Sequence, residues 1–200
     1  RTAYLALLNE NSQALGRLVQ ICGLGDYLAR QVAAHPLLLD ELLDPRVFET
    51  LPDRAQFEQE LAARLEHAGG DDEQRVDALR QFRRAATFRV AMLDLTGRLP
   101  LMQVSDRLTD VAELILEKAL ALAWQHTAAL YGEPRCEEGG RARTARVAIA
   151  GYGKLGGMEL GYASDLDLVF LHDSLGNIGW VPLFETLAEP FDVVVPDLPG

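Results

Sequence analysis

The sequence predicts an α+β protein: an all-helical N-terminal domain over residues 1–134, a short linker at 135–143, and the start of an α/β sheet domain over 144–200. Three observations predict it. From Tyr4 to Tyr131 apolar residues recur at three- and four-residue spacing, the period of amphipathic helices packed on one another, with no strand alternation. "GEPRCEEGGRART" then interrupts with polar residues and glycine, the composition of a loop or a domain boundary. Beyond it, "RVAIAGYG" and "LDLVFLHD" are short apolar runs with β-branched residues, as buried strands are.

Taken in order, the first helices are short and are broken at "CGLGD", "HPLLLDELLDP" and "HAGGDD". A long helix is expected from about Asp72 to Leu95, closed by Gly97 and Pro100. The next lies in "SDRLTDVAELILEKALALAWQHTAALYG": Ser105 can cap it, Asp106 suits the first turn, and Leu108, Val111, Ile115 and Leu122 form one face. Gly132 and Pro134 end it. Between the two strands, "KLGGMELGYAS" holds too much glycine for a stable helix. The tail "VPLFETLAEPFDVVVPDLPG" reads as a short helix, a third strand at Asp192 to Val195 and a proline-rich turn.

The composition, 48% hydrophobic and 24% charged, is that of an ordinary soluble chain. At this length folding buries roughly 70% of the unfolded surface, so the core needs no disulfides. Cys22 and Cys136 form no CxxC pair and have no histidine at ligand spacing, so they are expected to be incidental thiols in a reducing cytoplasm. His35, His67, His126 and His172 are scattered, which argues against a zinc site. No apolar run approaches the ~18 residues of a membrane span, and the N-terminus turns polar too soon for a signal peptide. Since residue 1 is Arg, the chain is expected to start mid-protein. A net charge of −11 argues against nucleic acid, whose binding depends on Lys and Arg neutralising phosphates. Neither a nucleic acid nor a membrane is an expected partner.

The chemistry concentrates in "GYGKLGGMELGYASDLDLVFLHD", residues 151–173. Gly151, Gly153 and Gly156 spell GxGxxG after a strand, and Asp173 stands roughly where a dinucleotide-binding fold keeps its ribose acid. That fold needs a crossover helix, which the glycines between disfavour. It would also bury Asp165 and Asp167 at the mouth of a central strand without a counter-ion. A second reading uses the aspartates. Residues two apart on a strand share a face, so Asp165 and Asp167 point the same way while Leu166 and Leu168 turn to the core. Mg²⁺ takes one or two carboxylates together with nucleotide phosphate oxygens. Gly156 and Gly157, lacking side chains, let a triphosphate approach the backbone. Within residues 144–200 the only bases are Arg146 and Lys154, so a metal would have to supply most of the positive charge; Lys154 is the cation placed to meet phosphate. Ser164 either bonds a phosphate oxygen or begins the strand.

A Gly-Gly turn followed by Asp-x-Asp on a strand resembles the nucleotidyltransferase superfamily. The full string, with "HPLLLDELLDP", "LRQFRRAATFRVAMLDLTGRLPLMQVSDRLTDVAE" and "YGEP", resembles the glutamine synthetase adenylyltransferase family over about Tyr4 to Asp173. Its features look more like the C-terminal, adenylylating half than the de-adenylylating one. The resemblance implies a nucleotidyltransferase-type sheet domain, Asp165 and Asp167 holding Mg²⁺ on ATP, Gly156 and Gly157 cradling the triphosphate, and transfer of AMP to a tyrosine of glutamine synthetase, so controlling nitrogen assimilation. It also implies the PII signalling protein as a partner of the full-length enzyme. The family's third carboxylate, in a motif like VDxRLRP, is absent. Residues 175–200 look instead like a foreign piece, in which Asp197 is the nearest stand-in. The implied outcome is a fragment that binds nucleotide better than it catalyses transfer. The competing expectation is a non-catalytic helical interaction module with a vestigial α/β part.

Overall fold

The computed structural model describes residue 4 and residues 8–44 and 49–173. The helix, strand and turn expected in the tail, and Asp197, lie outside the described residues. Residues 8–10 are helical. Helix α1, Ser12–Leu24, is capped by Asn11, whose side chain accepts the Ala14 N–H at 3.1 Å. Helix α2, Asp26–Ala34, leads into a 3₁₀ turn, Pro36–Leu42. Helix α3, Arg54–Ala68, opens with a capping box: the Gln56 N–H donates to Asp53 at 2.8 Å and the Asp53 N–H to the Gln56 side chain at 2.9 Å.

Helix α4 spans Asp72–Leu95 and helix α5 Leu101–Tyr131. Helix α4 has the expected bounds, and its end is closed by Gly97 at φ 69°, with the Arg98 N–H reaching the Leu93 carbonyl at 2.8 Å. Helix α5 starts a turn earlier than the expected Ser105 cap: Pro100 is its N-cap and Ser105 lies inside it. The reason is that Leu101 and Met102 in the first turn are exposed and only Val104 of the added turn is buried, so the turn carries little periodic signal.

The glycine-bearing stretch expected as a loop is a hairpin, β1 (Arg135–Glu138) with β2 (Arg141–Thr144), in register Glu138↔Arg141. Gly139 and Gly140 have φ of 60° and 77°, the doubly positive turn that matches strand twist and that glycine adopts without strain. Strand β3, Val147–Tyr152, pairs antiparallel with β4, Asp167–His172, in register Val147↔His172 through Tyr152↔Asp167. Their connection carries the one-turn helix α6, Gly153–Gly156. Antiparallel pairing without a crossover helix excludes the dinucleotide-binding reading of the GxGxxG string.

Two apolar clusters flank α4. On one side Phe57 and Leu61 of α3, Phe82 of α4 and Leu114 of α5 are buried, and Ile149, Leu168 and Phe170 of the β3–β4 hairpin pack against the same cluster. On the other side Ile21, Leu28 and Leu42 meet Phe88 and Met92. Between them α4 is buried around its circumference from Ala85 to Leu93, apart from half-exposed Thr87, as a central helix must be. Among the described residues no helix is long and apolar enough to cross a membrane.

Candidate functional site

Burial alternates along the approach to β4. Asp165, Asp167 and Val169 are exposed, while Leu166, Leu168 and Phe170 are half-buried against the first cluster. The leucines and the phenylalanine fix the register, because a one-residue slip would turn them to water and both carboxylates into the core. Asp165 lies just before the strand and Asp167 opens it, opposite Tyr152.

Across the hairpin the chain turns sharply at Gly153, whose φ of 53° suits glycine. The Asp167 carboxylate lies directly against this residue, and any side chain at Gly153 would collide with it. The sequence reading passed over Gly153 for the Gly156-Gly157 pair; its signal was the GYG that ends β3. Gly156 is packed from within: a methyl group there would stand 2.7 Å from the Gly151 carbonyl oxygen. Gly157 is different. Its φ is −84° and a methyl group would sit 3.4 Å from the Gly153 carbonyl oxygen, an ordinary contact. The Gly157 N–H donates to that same carbonyl at 3.0 Å. A cradle here therefore draws on the bare surface of the pair rather than on the Gly157 N–H.

This contrast carries a prediction. Gly156→Ala should cost about 1–3 kcal/mol, because its methyl group meets backbone rather than a side chain that can move. Gly157→Ala should leave stability within about 0.5 kcal/mol of the parent, the usual range for an exposed substitution. Urea unfolding of the two variants checks it, and equal losses would sink it.

Lys154 is exposed in α6, and its ammonium makes no ion pair with the other described residues. Ser164 closes its own loop, its Oγ accepting the Gly161 N–H at 2.9 Å. A cleft of about 160 Å³ runs between α2, α4, α5 and this loop. Its lining includes Ser164 and Leu166 but neither aspartate, neither glycine of the pair and not Lys154. Of the sequence-predicted residues, Ser164 lines the cleft, while Asp165, Asp167, Gly156, Gly157 and Lys154 are exposed outside it.

Asp173 ends the hairpin. Its Oδ2 accepts from Arg143 at 2.6 Å, from the Arg146 N–H at 2.9 Å and from Arg146 Nε at 3.3 Å, which ties β4 to β2 and to the start of β3. The Arg143 bond first, and then those of Arg146, hold its carboxyl well below the usual carboxylate range. A depressed folded value makes the clamp's contribution complete above about pH 4, where the free side chain is also ionised. That contribution declines only as the pH falls towards the folded value. NMR titration of the Asp173 carboxyl should therefore show no inflection at the ordinary position, and an inflection there would refute the clamp.

Two exposed carboxylates supply hard oxygen ligands, and the exposed Gly156-Gly157 pair presents no side chain that would block phosphate, so the residues present fit a Mg²⁺ that keeps waters and phosphate oxygens. Among the described residues there is no group of three His, Cys, Asp or Glu that could hold a metal ion.

Comparison with known proteins gives a consistent result. A family model described as "Glutamate-ammonia ligase adenylyltransferase" matches residues 15–179. A "Bifunctional glutamine synthetase adenylyltransferase/adenylyl-removing enzyme" of Thioalkalivibrio sulfidiphilus is 50% identical over 178 residues, covering 88% of this chain and 18% of that protein. The similarly named proteins of Nitrosococcus oceani and Pseudomonas putida are 50% and 48% identical over 175 and 174 residues, covering 87% and 86% of this chain and 18% of each relative. The chain spans about 18% of the length of these relatives.

Proposed function

Because this chain belongs to the glutamate-ammonia ligase adenylyltransferase family, we propose that it carries the nucleotide-binding edge of that enzyme's adenylylating half. In this reading the AMP of ATP passes to a tyrosine of glutamine synthetase. The observation that supports it most is the pair of exposed carboxylates, Asp165 just before β4 and Asp167 at its start, with the Asp167 carboxylate against the Gly153 turn. The choice of the adenylylating half rests on "GYGKLGG" and the helical segments before it.

Asp165 and Asp167 hold the Mg²⁺ that accompanies ATP. When bound, this ion neutralises phosphate charge and polarises the phosphoryl oxygens. The exposed surface of Gly156 and Gly157 admits the triphosphate, and Lys154 supplies a further positive charge. A tyrosine hydroxyl of glutamine synthetase forms a bond to the α-phosphorus, the bond from that phosphorus to the oxygen bridging the α- and β-phosphates breaks, and the tyrosine proton passes to water. AMP stays on the tyrosine and pyrophosphate leaves. Residues 1–134 are the part that docks the protein substrate or a neighbouring domain, and residues 144–173 carry the chemistry.

Calorimetric titration with MgATP tests the reading. Heat of binding is expected with MgATP and not with ATP in excess chelator, and Gly157→Ala should weaken that binding while the fold stays intact. A chain that folds normally yet gives no heat with MgATP would instead favour a helical interaction module. Radiolabelled ATP with glutamine synthetase then reports transfer directly, as label retained on the protein.

A further inference from the structure

The loop between α6 and β4 leads straight into the two aspartates, and Tyr162 ties it to the helices. Three residues before Asp165, Tyr162 leaves the loop and its hydroxyl donates to Asp94 Oδ2, in the last turn of α4, at 2.5 Å. Its ring lies against Tyr27 of α2, with centroids 5.3 Å apart and planes tilted by 32°. The contact therefore joins two helices, α2 and the central α4, to one residue of the loop. Burial first, and then the bond to Asp94, push the Tyr162 hydroxyl well above its ordinary pKa, so it stays a neutral donor. Asp94 is itself held at a rigid place: Thr96 Oγ1 donates to the Met92 carbonyl at 2.7 Å and the Gly97 N–H to the Asp94 carbonyl at 2.8 Å. On the other side of Tyr162, Leu160 is buried in the first apolar cluster and Ser164 closes the turn on Gly161. The path from α4 to the carboxylates is thus short and held at each step.

We propose that Tyr162 is a positioning residue: by donating to Asp94 and packing on Tyr27 it locks the 161–166 loop onto α2 and α4, and so fixes where Asp165 and Asp167 present their carboxylates. This rests on the nucleotide reading of those aspartates. Tyr162 also packs against both apolar clusters, and what the bond from its hydroxyl to Asp94 adds to that packing is a fixed origin for the strand that begins at Asp167. A hydroxyl bonded to a carboxylate is among the stronger neutral-to-charged hydrogen bonds, so its loss should be visible as about 10-fold or more in any equilibrium it controls.

The test uses the full chain and four variants: Tyr162→Phe, which keeps the ring and loses the donor; Asp94→Ala, which loses the acceptor; Asp94→Asn, whose side-chain carbonyl still accepts; and the Tyr162→Phe/Asp94→Ala double. Two quantities are read: amide hydrogen exchange at residues 161–167 and MgATP affinity by calorimetry. Tyr162→Phe and Asp94→Ala should each speed exchange in the loop about 10-fold while amides of α5 keep their protection. Both should weaken MgATP by a similar factor, the double should be no worse than either single, and Asp94→Asn should stay close to the parent. Unchanged loop exchange in Tyr162→Phe overturns the proposal, as does faster exchange with MgATP affinity unaltered. A parent chain that binds no MgATP tells against the nucleotide reading, and the exchange measurement then decides the role of Tyr162 alone.

Discussion

Asp165→Asn and Asp167→Asn should each abolish Mg²⁺-dependent ATP binding while leaving the unfolding midpoint unchanged or slightly raised. Each change removes one anionic ligand from a pair of carboxylates, and a bound metal contributes several kcal/mol, so a loss of at least ~10²-fold in MgATP affinity follows. The fold should tolerate both, because both side chains are exposed while Leu166 and Leu168 do the packing. The Asp167 change should be the more damaging, since its carboxylate is seated against the Gly153 turn that leads into Gly156-Gly157, while Asp165 lies before the strand. Calorimetry with MgATP and a urea titration on the same samples measure the two sides. Full affinity in both variants would remove the metal assignment, and a collapsed midpoint would show that the aspartates serve the fold.

Arg89→Met should produce the largest loss of stability, about 3 kcal/mol, because it leaves the half-buried carboxylates of Glu41 and Glu60 without their main counter-ion. Arg89 is only 8% exposed in the middle of α4. Its Nη2 donates to both Glu60 oxygens, at 2.9 and 2.7 Å, its Nε stands 3.4 Å from Glu41 Oε2, and its guanidinium lies 5.5 Å from the Phe57 ring centre. The Nε contact is an ion pair without hydrogen-bond geometry. Arg64 shares Glu60 at 2.8 Å and Glu41 at 3.7 Å but is far more exposed. Burial pushes the Glu41 carboxyl up, and Arg89 is the chief influence pulling it down.

The pH dependence follows. A carboxyl whose folded value lies above its free value binds more protons in the native state, so stability falls as the pH rises through that interval. Removing Arg89 lifts the folded value of Glu41 further. The variant should therefore regain part of its loss as the pH falls from about 7 to about 5, where the parent regains less. Adding Glu41→Gln to Arg89→Met should recover part of the loss at neutral pH, since it removes a charge left without its partner. Urea unfolding at the two pH values checks both, and an Arg89→Met chain as stable as the parent would refute the network.

Long helices were legible because their period persists: helix α4 has its expected bounds, and the Leu108, Val111 and Ile115 face of α5 is buried. Shorter signals were partly misread. The α5 start was misplaced because Pro100 sets it while Leu101 and Met102 face water. The β1–β2 hairpin has the composition of a loop or a domain boundary because its strands are polar, though Gly139-Gly140 is itself a turn signal. The site follows the same division. The alternation around Asp165 and Asp167 is local and was visible in the sequence; the Gly153 contact, the Asp173 clamp and the Tyr162–Asp94 bond join residues that only folding brings together.

By itself, then, the sequence determined the helical region, the two strands of the β3–β4 hairpin, which side of β4 the aspartates occupy, and the family resemblance. All of these follow from periods of two or about 3.6 residues or from contiguous strings. The tertiary structure decided that β3 and β4 run antiparallel, that buried Arg89 pairs with half-buried Glu41 and Glu60, and that a loop tyrosine is anchored 68 residues back on α4. A charged residue in an amphipathic helix and a tyrosine in a glycine-rich loop carry the same local pattern whether they face water or a partner. Their partners are set by how helices and hairpin pack, which depends on shape and on distant side chains rather than on any spacing along the chain.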